Sequence, residues 1–330
     1  MQAMRVLFLA LLVCVTAAFS APARAQDPTP APTSDDPYAG LAIEDLASRY
    51  FGYGELQVHQ VMGQTPEFTR WLISYPSDEI TVYGFMNVPQ GPGPFPVVVA
   101  VHGYISPSNY ETLDYTTRYA DDLARAGYLV LHPNLRGYRP SDSGPNPFRI
   151  GMALDVLHLI GLVRQQGGLP GPLQPADPEA IGLWGHSMGG GIALRVLTIA
   201  PYIDAAVLYG SMSADERRNY EKIVEWSGGS SGRDELAVPE AVLERLAPIH
   251  YLDRIEAAVS IHHGTSDQTV PLDWSLDLCA RLSALHKTVE CFTYAGQPHT
   301  FYGDADRLFV QRTIEFFDQQ LKVEDPAYAP

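Results

Sequence analysis

Cysteine is scarce in this chain: three occur in 330 residues, Cys14, Cys279 and Cys291. There is no C-x-x-C pair, no H-E-x-x-H run and no spaced carboxylate loop, so the sequence carries no metal signature and implies no cofactor. Positive charge is also scarce, with 22 Lys and Arg against 38 Asp and Glu and a formal net charge of −16. A field of that sign repels phosphate backbones and anionic lipid surfaces, which argues against nucleic acid as a partner. Beyond residue 25 no apolar run approaches the roughly 18–20 residues that a membrane span needs, and no membrane anchor is expected.

The first 25 residues read as an export segment. Arg5 supplies the positive region, residues 6–19 are apolar, and Ala23-Arg24-Ala25 fits the A-x-A cleavage rule, so the mature chain is expected to start at Gln26, in the periplasm or outside the cell. Cys14 follows Val13, where a lipoprotein signal wants a small residue, so no lipidation is read. About 305 residues remain, a length normal for one large α/β domain. An exported chain with two cysteines left, Cys279 and Cys291, invites a disulfide. Two separate buried thiols, one on a helix and one on the next strand, are the alternative.

Residues 26–39 are polar and rich in proline and read as an extended tether. Residues 41–50 have apolar positions at helical spacing. Strand-like runs at 55–61, 68–75 and 80–88 follow, split by turn residues, and suggest an antiparallel lead-in. The pattern then changes to strand and helix in alternation. Strands are expected at 97–101, 128–132, 180–184, 205–209, 257–262 and 288–294, with helices at 112–126, 149–165, 190–200, 273–286 and 306–321. This is a doubly wound, mostly parallel sheet of about eight strands. Residues 211–255 interrupt it with helical stretches at 215–226 and 239–246, expected either as a lid above the site or as a peripheral helical pair.

Residues 185–189 read Gly-His-Ser-Met-Gly, the G-x-S-x-G pentapeptide, between a strand and a helix. That context makes Ser187 a candidate nucleophile at a sharp strand-to-helix turn. A serine nucleophile needs a base, and the base needs a partner that holds its tautomer. Asp267 follows a strand end in a Gly-marked loop. His299 lies in Gly296-Gln-Pro-His-Thr-Phe, again just past a strand. The order Ser, Asp, His is the one this arrangement requires. Of the competing histidines, His102, His132, His262 and His263 sit in or at strands and read as core residues. The side chain of His186 is expected to point away from that of Ser187.

A tetrahedral intermediate needs two donors aimed at its oxyanion. The backbone N–H of Met188 comes with the elbow. The N–H of Tyr104, after His102-Gly103, is the second candidate, although His102-Gly103 alone also serves as a strand-ending turn. Tyr110, Tyr220, Trp226, Trp274, Phe301 and Tyr302 fall in segments expected near the elbow and are candidates for a pocket lining. Arg217, Arg218 and Lys222 read as a solvated helix face.

The chain resembles the α/β-hydrolases, in particular the catalytic domain of the prolyl oligopeptidase family and the dienelactone hydrolase and acetyl xylan esterase branches. The resemblance rests on Phe95-Pro-Val-Val-Val-Ala-Val-His-Gly, Pro133-Asn-Leu-Arg-Gly, Gly185-His-Ser-Met-Gly-Gly, the 247–255 segment, His263-Gly-Thr-Ser-Asp-Gln-Thr-Val-Pro and the histidine loop ending at Phe301. It implies the α/β-hydrolase fold with a helical lid insertion and a Ser-His-Asp triad. Family peptidases carry a large propeller before this domain, and the roughly 70 residues of tether and lead-in here are too few for one. His102-Gly103-Tyr104 in place of His-Gly-Gly is similar to the acetyl xylan esterase branch. The expectation is therefore an exported carboxylesterase acting on a small-molecule ester. A peptidase of short peptides and a non-catalytic binding protein are the alternatives.

Overall fold

The computed structural model describes residues 36–322 apart from residue 115. The expected export segment 1–25 and residues 26–35 of the tether lie outside the described residues. Strands β1 (Gln57–Gln64), β2 (Phe68–Ser77), β3 (Ile80–Pro89), β4 (Phe95–Val101), β5 (Leu129–Pro133), β6 (Ala176–His186), β7 (Ala205–Tyr209), β8 (Ala258–Gly264) and β9 (Val289–Tyr294) form one sheet. Its order is β1-β2-β3-β5-β4-β6-β7-β8-β9, nine strands among the described residues where about eight were expected. The lead-in strands β1, β2 and β3 pair antiparallel, and β3 meets β5 antiparallel. The pairs from β5 through β4 to β9 are all parallel. The winding reverses at β4, so the carboxyl ends of β4 and β6 border the switch-point crevice where open α/β sheets bind ligands.

Helices α1 (Ile43–Ala47), α2 (Thr117–Arg125), α3 (Ile150–Gln166), α4 (Met188–Ile199), α5 (Glu216–Trp226), α6 (Arg233–Leu236), α7 (Glu240–Leu246), α8 (Leu272–Ala284) and α9 (Gly303–Leu321) complete the fold. The β-branched run in β4 is buried on both faces because successive side chains point to opposite sides. Val97, Val99 and Val101 join a core with Val156 and Ile160 of α3 and Ile192 and Val196 of α4. Val98 and Ala100 join a second core with Leu123 of α2 and Phe309 and Phe317 of α9. Each fully buried Val, Ile, Leu or Phe contributes about 1.5–3 kcal/mol.

Helix α2 begins at Thr117, not at 112 as the apolar spacing predicts. The residues before it are committed elsewhere. Thr112 Oγ1 accepts from Asn134 Nδ2 at 2.9 Å, and Thr116 Oγ1 bonds the His132 ring on β5. The 211–255 insertion holds three α-helices and two short 3-10 turns where two helices were expected; α6 has four residues and too little periodicity to read. The root of the insertion is fixed. Buried Glu216 on α5 accepts from Arg195 of α4 and from Arg149, each at 2.6 Å, and from Asn219 Nδ2 at 3.0 Å. Arg195 also donates to the Leu246 carbonyl at the end of α7. These bonds anchor the start of the insertion and the end of α7 to α4.

Candidate active site

Ser187 takes φ 57° and ψ −118°, a conformation that side chains other than glycine rarely adopt. The sequence permits it by keeping its neighbours small. A Cβ on Gly185 would lie 2.5 Å from the Gly189 carbonyl oxygen, and one on Gly189 would lie 2.1 Å from the Val101 carbonyl oxygen. The elbow is also fastened from outside. Ser187 N–H donates to Tyr209 O at 3.0 Å, and Ser187 O accepts from Gly190 and Met212, both at 3.0 Å. The residue remains 8% exposed at the sheet's carboxyl edge, so its hydroxyl is shielded but not sealed.

His299 Nδ1–H donates to Asp267 Oδ2 at 2.7 Å, which leaves Nε2 as the ring's free lone pair. The other carboxylate oxygen accepts from Thr269 N (2.8 Å) and Val270 N (2.9 Å). Burial pushes the Asp267 carboxyl up, but the bonds from His263 and His299, with the Val270 N–H, outweigh it and hold the group well below the usual carboxylate range. This pair and the elbow are brought together by Gly210, which follows Tyr209, the β7 partner of His186. A Cβ on Gly210 would stand 3.3 Å from His299 Nδ1 and 3.5 Å from Asp267 Oδ2, a tight contact at a φ of 49° that favours glycine.

Two histidines set aside in the sequence belong to this site. His186 Nε2–H donates to the His299 carbonyl at 2.9 Å, and its ring lies 4.6 Å from the His299 ring and stacks on Tyr209 at 4.1 Å. Burial first, and the nearby His299 charge second, lower the pKa of His186 to about 3, so it stays neutral. His263, read as an ordinary core histidine, lies with Nε2 3.2 Å from Asp267 Oδ2. Only the G-x-x-D spacing hinted at this, since a histidine four residues before the acid can fold back onto it.

The loop after β4 is held by His102, whose ring nitrogens lie 2.7 Å from Gly103 O and 3.0 Å from Asn134 O. Burial lowers its pKa against those two carbonyls. Carbonyl and N–H of one peptide point in opposite directions. With Gly103 O turned to the His102 ring, Tyr104 N–H therefore faces away from it. The Tyr104 residue is 66% exposed.

The aromatic candidates separate into two groups. Tyr110, Tyr220 and Phe301 are core residues and not open pocket walls. The Tyr110 hydroxyl donates to Asn134 Oδ1 at 3.1 Å, Tyr220 packs on Phe148 at 5.2 Å, and Phe301 packs on Tyr209 at 4.5 Å. Trp274 is buried in the first turn of α8. Tyr302, 63% exposed, and Trp226, 43% exposed, remain open to solvent. An open cleft of about 460 Å³ lies on another side, between α2 and α9, lined by Asp122, Arg125, Asp306 and Arg307 among others. None of its lining residues belongs to the Ser187, Asp267 and His299 group. Cys279 on α8 and Cys291 on β9 are joined in a disulfide, with Cα atoms 6.4 Å apart.

Residues 173–324 match the prolyl oligopeptidase family, and residues 96–246 match the α/β hydrolase fold. The chain is 23% identical over 252 residues to an uncharacterized peptidase, YtmA, of Bacillus subtilis, covering 74% of this chain and 92% of that one. Among solved structures, a puromycin-hydrolyzing peptidase of Mycobacterium tuberculosis matches with a TM-score of 0.59 and 21% identity over 77% of this chain. This chain spans only 40% of that peptidase's length. The acetyl xylan esterase from Paenibacillus sp. R4 matches with a TM-score of 0.61 and 18% identity, covering 84% of this chain and 92% of the esterase. The strand order, the elbow and these matches together show the α/β-hydrolase fold and liken residues 173–324 to the serine hydrolases of the prolyl oligopeptidase family.

Proposed function

We propose that the protein is an exported carboxylesterase in which Ser187, His299 and Asp267 form the catalytic triad. The observation that carries this reading is the 2.7 Å bond from His299 Nδ1 to the buried Asp267 side chain, in a loop whose His299 carbonyl accepts from His186, the residue before Ser187 at φ 57°. Ser187 Oγ attacks the ester carbonyl carbon as its proton passes to His299 Nε2. The N–H groups of Met188 and Tyr104 receive the oxyanion. The intermediate collapses, and the leaving alkoxide takes the proton from His299. Water then attacks the acyl-enzyme, losing its proton to His299. Ser187 recovers that proton as the carboxylic acid departs, and Asp267 stays ionised throughout.

The ester preference is supported by the match over nearly the whole length of an acetyl xylan esterase. Exposed Tyr104, in the loop after β4, and Tyr302, three residues after His299, add apolar area to bind an acyl or aryl group. The disulfide fits an oxidising compartment, as export through residues 1–25 requires. The prolyl oligopeptidase match over 173–324 favours a second reading, hydrolysis of short peptides or aminoacyl amides. Matched substrates separate the two. Short-chain or aryl esters should be cleaved at least ~100-fold faster in kcat/KM than aminoacyl anilides of similar size, a gap of ~2.7 kcal/mol. Comparable constants on the anilide would establish the peptidase reading in its place.

A further inference from the structure

Asp267 Oδ2 is shared. It accepts His299 Nδ1–H at 2.7 Å, and His263 Nε2 lies 3.2 Å from the same oxygen. His263 Nε2 also lies 3.1 Å from the Val270 carbonyl, so it faces two acceptors and must carry the ring's proton. The opposite nitrogen, Nδ1, is 2.7 Å from Ser275 Oγ on α8. In the neutral ring that hydroxyl donates to Nδ1 and fixes the tautomer. His263, Ser275 and the Asp267 side chain are all nearly sealed from solvent, so water does not compete for these bonds. Together with the Thr269 and Val270 N–H groups on Oδ1, the carboxylate is filled by four donors from its own loop, its own strand and the histidine loop.

We propose that His263, held in its Nε2–H tautomer by Ser275, is a positioning residue that sets the orientation and the basicity of Asp267 and, through it, the proton affinity of His299. The proposal rests on the triad reading above. Its physical content is a competition for one oxygen. Each N–H drawn to Oδ2 disperses negative charge that otherwise stabilises a protonated His299. Removing the His263 donor therefore leaves His299 more basic and Asp267 less firmly held. The other titratable groups facing His299 are His186 of β6, whose ring lies 4.6 Å away, and Tyr209 of β7, whose hydroxyl accepts from Phe301 N–H. Both are left unchanged in the variants below.

The test uses a fluorophosphonate probe, whose reaction rate with the serine needs no knowledge of the natural substrate. The rate is followed from pH 5 to pH 8 in the wild type, His263→Phe, His263→Gln and Ser275→Ala. His263→Phe should react at least about 10-fold more slowly at pH 7, with the midpoint of its acid limb raised by about 0.5 unit or more. His263→Gln keeps an N–H within reach of the carboxylate and should stay within about threefold of wild type. Ser275→Ala, a small change that should fold, frees the tautomer and should fall between them, about threefold slower. A rate and a midpoint unchanged in His263→Phe, with only thermal stability lost, would reduce His263 to packing and overturn the proposal. If His263→Phe does not fold, an unchanged rate and midpoint in Ser275→Ala overturns it. A wild type that takes no probe at all would sink the triad reading instead. The clamp is then judged by proton NMR: the low-field His299 Nδ1–H resonance should move in Ser275→Ala, and a fixed resonance refutes it.

Discussion

Substituting Gly189 by alanine tests whether the elbow depends on close approach between β4 and the start of α4. The added Cβ would lie 2.1 Å from Val101 O and 2.7 Å from His102 O, both backbone atoms that cannot rotate away. Ordinary carbon–oxygen contact begins near ~3.3 Å, so the helix start and the strand end must part by about 1 Å. Overpacking of that kind costs about 1–3 kcal/mol. The displaced segments carry Met188 and the 102–104 loop, and misplacing reacting groups by ~1 Å costs about 100-fold in rate. Gly191→Ala on the same helix is the control. Its Cβ would meet only Met212, with Cβ at 3.1 Å, a contact that a shift of a few tenths of an ångström relieves. Since alanine is the better helix former by up to about 1 kcal/mol, that variant should keep both rate and stability. Urea midpoints and fluorophosphonate labelling rates of the two variants give the comparison. Equal labelling rates in Gly189→Ala and Gly191→Ala would refute the steric argument.

Three further outcomes follow from buried charge and cross-linking. Burial lowers the pKa of His158 to about 4 and of His186 and His262 to about 3, while an unfolded histidine titrates near ~6.5. The unfolded chain therefore binds more protons below ~6.5, and stability should fall as pH drops from there toward 4, by about 1.4 kcal/mol per unit for each group; urea melts that stay flat from pH 7 to pH 5 contradict this. Glu216→Gln leaves buried Arg195 and half-buried Arg149 without their carboxylate and should cost about 3–5 kcal/mol in urea unfolding, against a loss under ~1 kcal/mol if the cluster is dispensable. The Cys279–Cys291 bridge closes a 12-residue separation, so the double Cys→Ser variant should lose about 3 kcal/mol, and alkylation of the unreduced protein should find neither thiol free.

The parts of the site that were legible in sequence are those where one local rule decides. The β4 run Val97-Val-Val-Ala-Val reads as a strand because a strand buried on both faces needs apolar residues at every position. Ser187, Asp267 and His299 stand out because each lies just past such a strand in a loop marked by glycine or proline. Asp267 and His299 are joined in the structure, with Gly210 alongside. The parts that were hidden depend on contacts between distant segments. Arg195 lies on an otherwise apolar helix, and no local spacing points to Glu216, which arrives from the insertion to neutralise it. Ser275 looks like any helix serine until α8 packs against β8 and brings its hydroxyl to His263. Tyr110 and Phe301 are candidates for a pocket lining only because their loops are expected near the elbow. Side-chain direction, which spacing does not encode in a loop, sends both into the cores.

The central claim is that Ser187 is the nucleophile activated by His299 and Asp267. Its most direct test is fluorophosphonate labelling followed by peptide mapping of the adduct. The account predicts one adduct, on Ser187, that disappears in Ser187→Ala and forms far more slowly in His299→Ala. An adduct on another residue, or labelling that survives in Ser187→Ala, would contradict it.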